Sequence, residues 1–177
     1  MTPDEQKKRL EQEIRESEAE TIAEGDGKAS AVEKEGDRIF KAVAVRQDWV
    51  MAEELAFREI EAEFSATVQR NVAAGSDQGF DGIFIHKGRL TVIEIKYVRR
   101  PQWRLSVEAA LEHIQRAAAN IKPAQAFILV LVTEPIPPER RELELARVRE
   151  RLASTSLPVE LRVYDFAELK TKYGVAT

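Results

Sequence analysis

The chain of 177 residues contains no cysteine and only two histidines. The absence of cysteine excludes disulfides, zinc–thiolate sites and thiol nucleophiles. The histidines, His86 and His113, stand 27 positions apart, and neither has a partner at the spacing of metal ligands. We therefore interpret both as structural or solvent-exposed residues.

Long hydrophobic runs are also missing. No apolar stretch approaches the roughly 20 residues that a helix needs to cross a bilayer. The first eight residues contain no hydrophobic region, so we expect no signal peptide. Hydrophobic residues still make up 44% of the chain, which is enough for a core. The sequence therefore predicts a cytoplasmic protein without a membrane partner.

An excess of positive charge is the third absence. The net charge is −4, whereas nucleic-acid-binding domains are usually basic. Residues 1–35 account for the deficit with six basic and eleven acidic side chains, and the remainder is close to neutral. Basic residues cluster at Arg99, Arg100 and Arg104. Electrostatics thus permits DNA binding without arguing for it.

The N-terminal segment differs in composition from the rest. Residues 3–24 have a helical pattern with sparse apolar positions, and Gly25-Asp26-Gly27 interrupts it. We divide the chain into an acidic helical or disordered extension, 1–35, and a domain, 36–177. The extension is interpreted either as a solvated tail or as a weak oligomerisation helix. The second interpretation predicts a homodimer or a partner protein bound through residues 1–35.

Periodicity and turn residues predict an α/β domain. The predicted order is αβββαβαβ, in which three strands form an antiparallel meander and two helical crossovers add parallel strands. Asp48 is a good N-cap, so we predict a helix beginning after it. The predicted elements are a short helix at 37–46, a helix at 49–64, a strand at 66–73, a hairpin at 80–98, a helix at 104–121, a strand at 126–133, a helix at 139–153 and a strand at 159–165.

The hairpin carries the charged residues of most interest. A tight turn at Lys87-Gly88 pairs position 86 with 89 and, further down, Asp81 with Glu94. Directly opposed side chains have Cβ atoms about 5 Å apart, and period-2 geometry puts Lys96 on the face of Glu94. Both faces of the hairpin are otherwise apolar, which predicts burial between layers. Two buried carboxylates repel, so this pattern favours a bound divalent cation over a structural salt-bridge cluster.

Asp81, Glu94 and Lys96 resemble the active site of the PD-(D/E)xK nucleases, the restriction-endonuclease-like superfamily. Phe80 stands where the family motif has proline. An acid-x-Lys triplet occurs four times in the chain, but only Glu94-Ile95-Lys96 ends an apolar strand. The resemblance covers about residues 48–166. It implies a central mixed β-sheet flanked by helices, and the predicted element order agrees with this core.

The resemblance also implies a function: a divalent-metal-dependent endonuclease that hydrolyses phosphodiester bonds. DNA is the expected substrate, although the sequence does not separate DNA from RNA. Asp81, Glu94 and the carbonyl of Ile95 would hold Mg²⁺ or Mn²⁺. Lys96 would orient or deprotonate a water, or stabilise developing negative charge. The competing interpretation is a non-catalytic module that binds nucleic acid or protein on the same fold.

Further site residues follow only from the resemblance. The family often supplies another carboxylate from the helix before the first strand, and Glu54 matches that position better than Glu53 or Glu59. Gln115 resembles a glutamine of some branches, which have a tyrosine four residues later, where this chain has Ala119. The candidate contacts to nucleic acid are Arg99, Arg100, Trp103 and Gln115.

Overall fold

The computed structural model describes residues 31–74, 77–121 and 126–176, together with Lys8, Gln12 and Arg15. These three isolated residues are helical, and the rest of the predicted N-terminal helix lies outside the described residues. The elements are α1 (Ala31–Phe64), β1 (Gln69–Ala74), β2 (Asp77–His86), β3 (Arg89–Val98), α2 (Arg104–Asn120), β4 (Ala126–Thr133), α3 (Pro138–Ala153), β5 (Val159–Asp165) and α4 (Phe166–Lys172).

The strands form one five-stranded sheet in the order β1-β2-β3-β4-β5. Both pairings within β1–β3 are antiparallel, whereas β4 lies parallel to β3 and β5 parallel to β4. Short connections restrict neighbouring strands to antiparallel pairing, and a helical crossover returns the chain for a parallel one. The predicted α/β class, element order and strand directions are therefore confirmed.

The prediction of two helices separated at Asp48 is wrong. Helix α1 is continuous from Ala31 to Phe64, so Asp48 lies inside it. Residues 37–64 contain neither glycine nor proline, so nothing in that stretch forces a break, and the N-cap signal has no effect within a helix-forming sequence. The chain divides into two compact units, residues 1–51 and 52–177, whereas the sequence interpretation divides it between residues 35 and 36.

Within the unit of residues 52–177, helices cover both faces of the sheet. Val92 and Val98 of β3 belong to a core formed with α2 and α3. The opposite face receives residues 52–64 of α1, and Gly82 allows their close approach. A Cβ at Gly82 would lie 2.8 Å from the Phe57 ring and 2.6 Å from the Val68 side chain. The part of the hairpin that carries Asp81, Glu94 and Lys96 is thus enclosed between layers, as predicted, whereas the turn end is not, since Ile85 is 69% exposed.

Helix α4 was not predicted, although the sequence contains its start signal. The Asp165 carboxylate accepts a hydrogen bond of 3.0 Å from the Glu168 N–H, which is the N-cap arrangement of an acid followed three residues later by glutamate. Phe166 packs against Tyr97 with ring centroids 5.1 Å apart. The helix therefore closes the α1-side face of the sheet over β3.

Membrane insertion through a helix finds no support in the described part of the chain. None of the helices there combines the length and the apolar composition that a bilayer span requires.

Candidate active site

The β2–β3 hairpin has the predicted register. His86 pairs with Arg89, and the ladder continues through Ile83 opposite Val92 to Gly82 opposite Ile93. Lys87 and Gly88 have φ angles of 49° and 76°, as a two-residue turn with both central residues in the left-handed region requires. Continued by one residue, the same register places Asp81 opposite Glu94.

Asp81 lies at the point where β2 and β3 begin to separate. The residue is 1% exposed, and its Oδ2 accepts a hydrogen bond of 2.6 Å from the backbone N–H of Ile95. A carboxylate that accepts from a main-chain N–H is held in one orientation and needs less compensation for burial. The bond fixes Asp81 against the residue that separates Glu94 from Lys96.

Glu94 is the most deeply buried charged group of the site. It is 0% exposed, and its Oε1 lies 3.3 Å from Lys96 Nζ. The same Oε1 lies 2.8 Å from Nδ1 of His113, which reaches it from α2. Lys96 shares the face of Glu94 on β3, as the alternation of the strand predicts. The structure therefore brings Glu94, Lys96 and His113 into contact, and the strand register places Asp81 beside Glu94 on the adjacent strand.

The expectation that His113 is either structural or solvent-exposed is narrowed by the structure, because the side chain is not solvent-exposed. Its side chain is 13% exposed and hydrogen-bonds to Glu94. The signal was present in the helical phase, because His113 stands three residues after Ala110 and four before Ala117, and both alanines are buried. Small residues on both sides let α2 lie close to the sheet, so a side chain between them reaches a strand. The contact was not predicted because His113 and Glu94 are 19 residues apart in the sequence.

Glu54, the predicted helix carboxylate, belongs to a different cluster. Its Oε1 accepts a 3.2 Å bond from Arg58 Nε, and its Oε2 accepts from Arg70 Nη1. Arg70 also lies over the Phe57 ring, 4.7 Å from its centroid. The Glu54 side chain is 40% exposed. The structure therefore places Glu54 in an ion-pair cluster between α1 and β1, and its catalytic role stays a prediction.

Glu59, another of the helix acids, connects α1 with the C-terminal end of the chain. Tyr173 donates a 2.7 Å hydrogen bond to Glu59, and Lys172 forms an ion pair of 2.6 Å with it. Burial alone would raise the pKa of Glu59, but the contacts to Lys172 and Tyr173 outweigh it and hold this pKa below its usual value. The environment of Glu59 is that of an ionised, structural carboxylate.

The candidate contacts to nucleic acid divide into surface and core residues. Arg99 and Gln115 are exposed, and Arg100 is half-buried. Trp103 is 0% exposed and belongs to the core beneath α2 and α3. A ring without exposed surface cannot stack on a base, so the assignment of Trp103 as a contact residue is corrected to a packing role. Gln115 points away from the sheet on the helix from which His113 reaches Glu94.

A third buried acid, Glu144, was not predicted. Glu144 of α3 is 2% exposed, and its Oε1 lies 3.1 Å from Arg147 and 3.4 Å from Arg140. Its Oε2 accepts a 3.3 Å hydrogen bond from the backbone N–H of Trp103, where α2 begins. This carboxylate supplies the acceptor that the N-terminus of α2 lacks in its own side chain.

The carboxylate oxygens of Asp81 and Glu94 suit a hard cation, but the protein offers only a few ligands there. Throughout residues 31–74, 77–121 and 126–176, no group of three or more His, Cys, Asp or Glu side chains is arranged to hold a metal ion. Mg²⁺ in proteins is commonly bound by only one or two carboxylates, with water and substrate oxygens completing its shell. The two carboxylates of Asp81 and Glu94 also outnumber the single ammonium of Lys96. The residues present therefore fit a water-rich Mg²⁺ or Mn²⁺ site and do not fit an all-protein cage.

Comparison of the chain with protein-family models, with curated proteins and with solved structures gives no match in any of the three.

Proposed function

We propose that the protein is a divalent-metal-dependent nuclease that hydrolyses phosphodiester bonds by a PD-(D/E)xK mechanism, with DNA as its substrate. The observation that carries the proposal is the convergence of Asp81, Glu94 and Lys96 in a buried hairpin, with 1%, 0% and 8% of their surfaces exposed. The five-stranded sheet and its helical crossovers agree with the fold that the resemblance implies.

Burial of these three charged side chains costs free energy unless counter-charges or hydrogen bonds offset it. Taking an ionised group out of water costs several kcal/mol even after relaxation of the protein. Glu94 has the Lys96 ammonium at 3.3 Å, and Asp81 has the Ile95 N–H as a hydrogen-bond donor at 2.6 Å. A bound cation would add a counter-charge to these two acids. Such a combination of desolvation and specific charge partners is typical of catalytic sites.

Each residue would have a distinct role. Asp81 and Glu94 would hold Mg²⁺ or Mn²⁺, with the Ile95 carbonyl as the third protein ligand that the resemblance implies. The cation would acidify a bound water and neutralise charge on the phosphate. Lys96, whose side chain is 10% exposed, would meet the attacking water or the phosphate from the solvent side of Glu94.

Two arginines next to the end of β3 would be the contacts to the substrate backbone. Arg99 and Arg100 follow β3 directly, three and four residues after Lys96, and Arg99 is exposed. Arginine side chains bind phosphate through several donors, which positions a strand without reading its sequence. The near-neutral charge of residues 36–177 suggests that this local patch, and not the net charge, provides the attraction.

The test is cleavage of plasmid DNA, single-stranded DNA and RNA with Mg²⁺ or Mn²⁺, with EDTA and Glu94→Gln as controls. We expect cleavage of at least one DNA form that both controls abolish. Cleavage of RNA alone would change the proposed substrate from DNA to RNA and would leave the proposed mechanism as it is. Full activity in the purified Glu94→Gln variant would reject the proposal.

A non-catalytic interaction module is the second candidate, favoured by the first half of α1. Four apolar side chains there are 51–77% exposed, namely Ile39, Phe40, Val43 and Val50. Arg38 and Asp48 stand at equal distances from Val43, so an antiparallel pair of α1 helices would place opposite charges together. A second copy of the chain is the partner this pattern fits.

Sedimentation of the full chain and of a Phe40→Glu/Val43→Glu variant tests self-association. We expect the wild type to dimerise and the variant to be monomeric, because charge on both faces of a pair opposes burial. Equal sedimentation of the two proteins would reject the dimer. A dimeric chain that cleaves nothing under any metal condition would favour the module over the nuclease.

A further inference from the structure

We infer that His113 is the positioning residue of the Glu94 carboxylate, and that it acts through the N–H at Nδ1. This inference rests on the proposed nuclease function. It starts from two atoms: His113 Nδ1 lies 2.8 Å from Glu94 Oε1, a normal distance for a charge-assisted hydrogen bond.

Two groups approach the same carboxylate oxygen from different elements. Lys96 comes from β3 at 3.3 Å, and His113 comes from α2. The lysine has a flexible four-carbon stem, whereas the imidazole has two side-chain torsions and sits on a helix between the buried Ala110 and Ala117. The histidine is therefore the more rigid of the two supports.

The chemical consequence concerns the direction of the carboxylate. With Oε1 engaged by Lys96 and His113, the plane of the Glu94 carboxylate is set by the protein before a cation arrives. A metal ligand held in this way loses less conformational freedom on binding, and loss of such an orienting group typically costs 10–100-fold in metal affinity or activity. His113 thus links the position of α2 to the geometry of the metal site.

The ring atom identifies the proton that is needed. Glu94 offers only acceptors when ionised, so the Nδ1 that faces it has to carry hydrogen. In the neutral ring this leaves Nε2 as the atom without hydrogen. The chain contains only one other histidine, His86, whose ring packs against Phe64 with centroids 5.1 Å apart. Long-range ¹H–¹⁵N spectra of the metal-free protein therefore give two ring patterns, and a His86→Gln variant assigns them.

The experiment compares His113→Asn, His113→Gln and His113→Leu, with His86→Leu as the matched control. The Asn amide nitrogen can occupy a position close to that of Nδ1, whereas the Gln amide reaches one carbon further and Leu has no donor. Calorimetry measures Mn²⁺ binding, and circular dichroism measures the melting temperature without metal. Cleavage of DNA gives kcat and KM. We expect His113→Asn to keep Mn²⁺ affinity within a few-fold and His113→Leu to lose about 10–100-fold.

The possible outcomes distinguish the positioning role of His113 from the proposed nuclease function. An Nδ1–H pattern for His113, with affinity rescued by Asn more than by Gln, supports the positioning role. Unchanged Mn²⁺ affinity and kcat in His113→Leu overturn it while the nuclease proposal stands. Equal affinity losses in all three variants that follow their melting temperatures also overturn it, because they indicate packing alone. A wild type that neither binds Mn²⁺ nor cleaves nucleic acid overturns both.

Discussion

Glu94 and Glu144 are two buried glutamates in the same domain whose neighbours differ in number and type of charge. Glu144 has two arginine partners from its own helix, with side chains 38% and 59% exposed. Glu94 has one lysine and one histidine, which are 10% and 13% exposed, and a second acid, Asp81, on the adjacent strand. The Glu144 carboxylate has two partly exposed cationic partners, whereas Glu94 and a second acid share one lysine and one histidine that are both largely buried.

Burial of an acid therefore does not by itself indicate a site. Glu144 completes a helix N-terminus and is neutralised by its neighbours, so a cation has nothing to offset there. Asp81 and Glu94 lie on adjacent strands, and a bound cation would reduce the repulsion between two ionised carboxylates there. The comparison predicts that variants in the Asp81–Glu94 cluster lose metal binding while those in the Glu144 cluster do not, and that the two sets have opposite effects on stability.

The largest expected effect is the loss of metal binding in Asp81→Asn and Glu94→Gln. Asp81→Asn keeps an oxygen that can accept from the Ile95 N–H but removes the charge, so the fold is preserved while a ligand is lost. We expect Mn²⁺ affinity and DNA cleavage to fall by more than the 10–100-fold typical of groups that only orient a ligand.

Glu144→Gln is the matched control for this first prediction, because it also neutralises one buried glutamate. Calorimetry with Mn²⁺ and plasmid cleavage should give values for it close to those of the wild type. Equal losses in Glu144→Gln and Glu94→Gln would remove the distinction between the two clusters.

The next effect in size concerns Lys96. A group that orients a water or assists proton transfer typically contributes roughly 10²–10⁴-fold, so Lys96→Ala should lower kcat by that factor with little change in Mn²⁺ affinity. Arg147→Ala, which removes a cation from Glu144, should leave kcat unchanged. Single-turnover cleavage of both variants makes the comparison. A Lys96→Ala variant that mainly unfolds would favour a structural ion pair.

The α/β class and the strand directions could be predicted because local signals determine them. The turn at Lys87-Gly88 fixes the hairpin register, and the period-2 pattern then assigns Glu94 and Lys96 to one face. The limits of β4 and β5 agree with prediction because apolar runs bounded by proline and polar residues mark strand ends clearly. These features depend on neighbours in sequence, which a single chain displays.

The site could be predicted only in part, because its other half comes from tertiary packing. His113 reaches Glu94 only after α2 lies on the sheet, and Glu144 reaches the N–H of Trp103 only after α3 lies beside α2. Both contacts join residues far apart in sequence, and no periodicity within one element specifies the partner. Trp103 shows the converse, since an aromatic residue beside arginines suggested a binding surface but lies in the core.

Stability without metal should respond in opposite directions in the two clusters. Glu144→Gln weakens bonds to two arginines and to the Trp103 N–H, so we expect a loss of about 1–3 kcal/mol in the free energy of unfolding. Asp81→Asn removes one of two neighbouring negative charges and should raise the melting temperature of the metal-free protein. Urea denaturation in EDTA measures both variants. A destabilised Asp81→Asn protein would show that Asp81 serves folding more than metal binding.

The smallest expected effect is that of Glu54→Gln, which tests whether a third acid belongs with Asp81 and Glu94. The Glu54 side chain is 40% exposed, and both of its oxygens engage arginines. Exposed pairs of this kind contribute about 0–1 kcal/mol, so the change in unfolding free energy should stay within that range. Because Arg58 and Arg70 already occupy the carboxylate, we also expect kcat to stay within a few-fold of the wild-type value. Arg70→Gln is the matched control, since it opens the same pair from the other side. If Glu54→Gln instead lowers kcat by about 100-fold while Arg70→Gln does not, Glu54 completes the metal site. The Asp81–Glu94 cluster would then contain a third acid, and it would differ from the Glu144 cluster by more than the two hairpin acids.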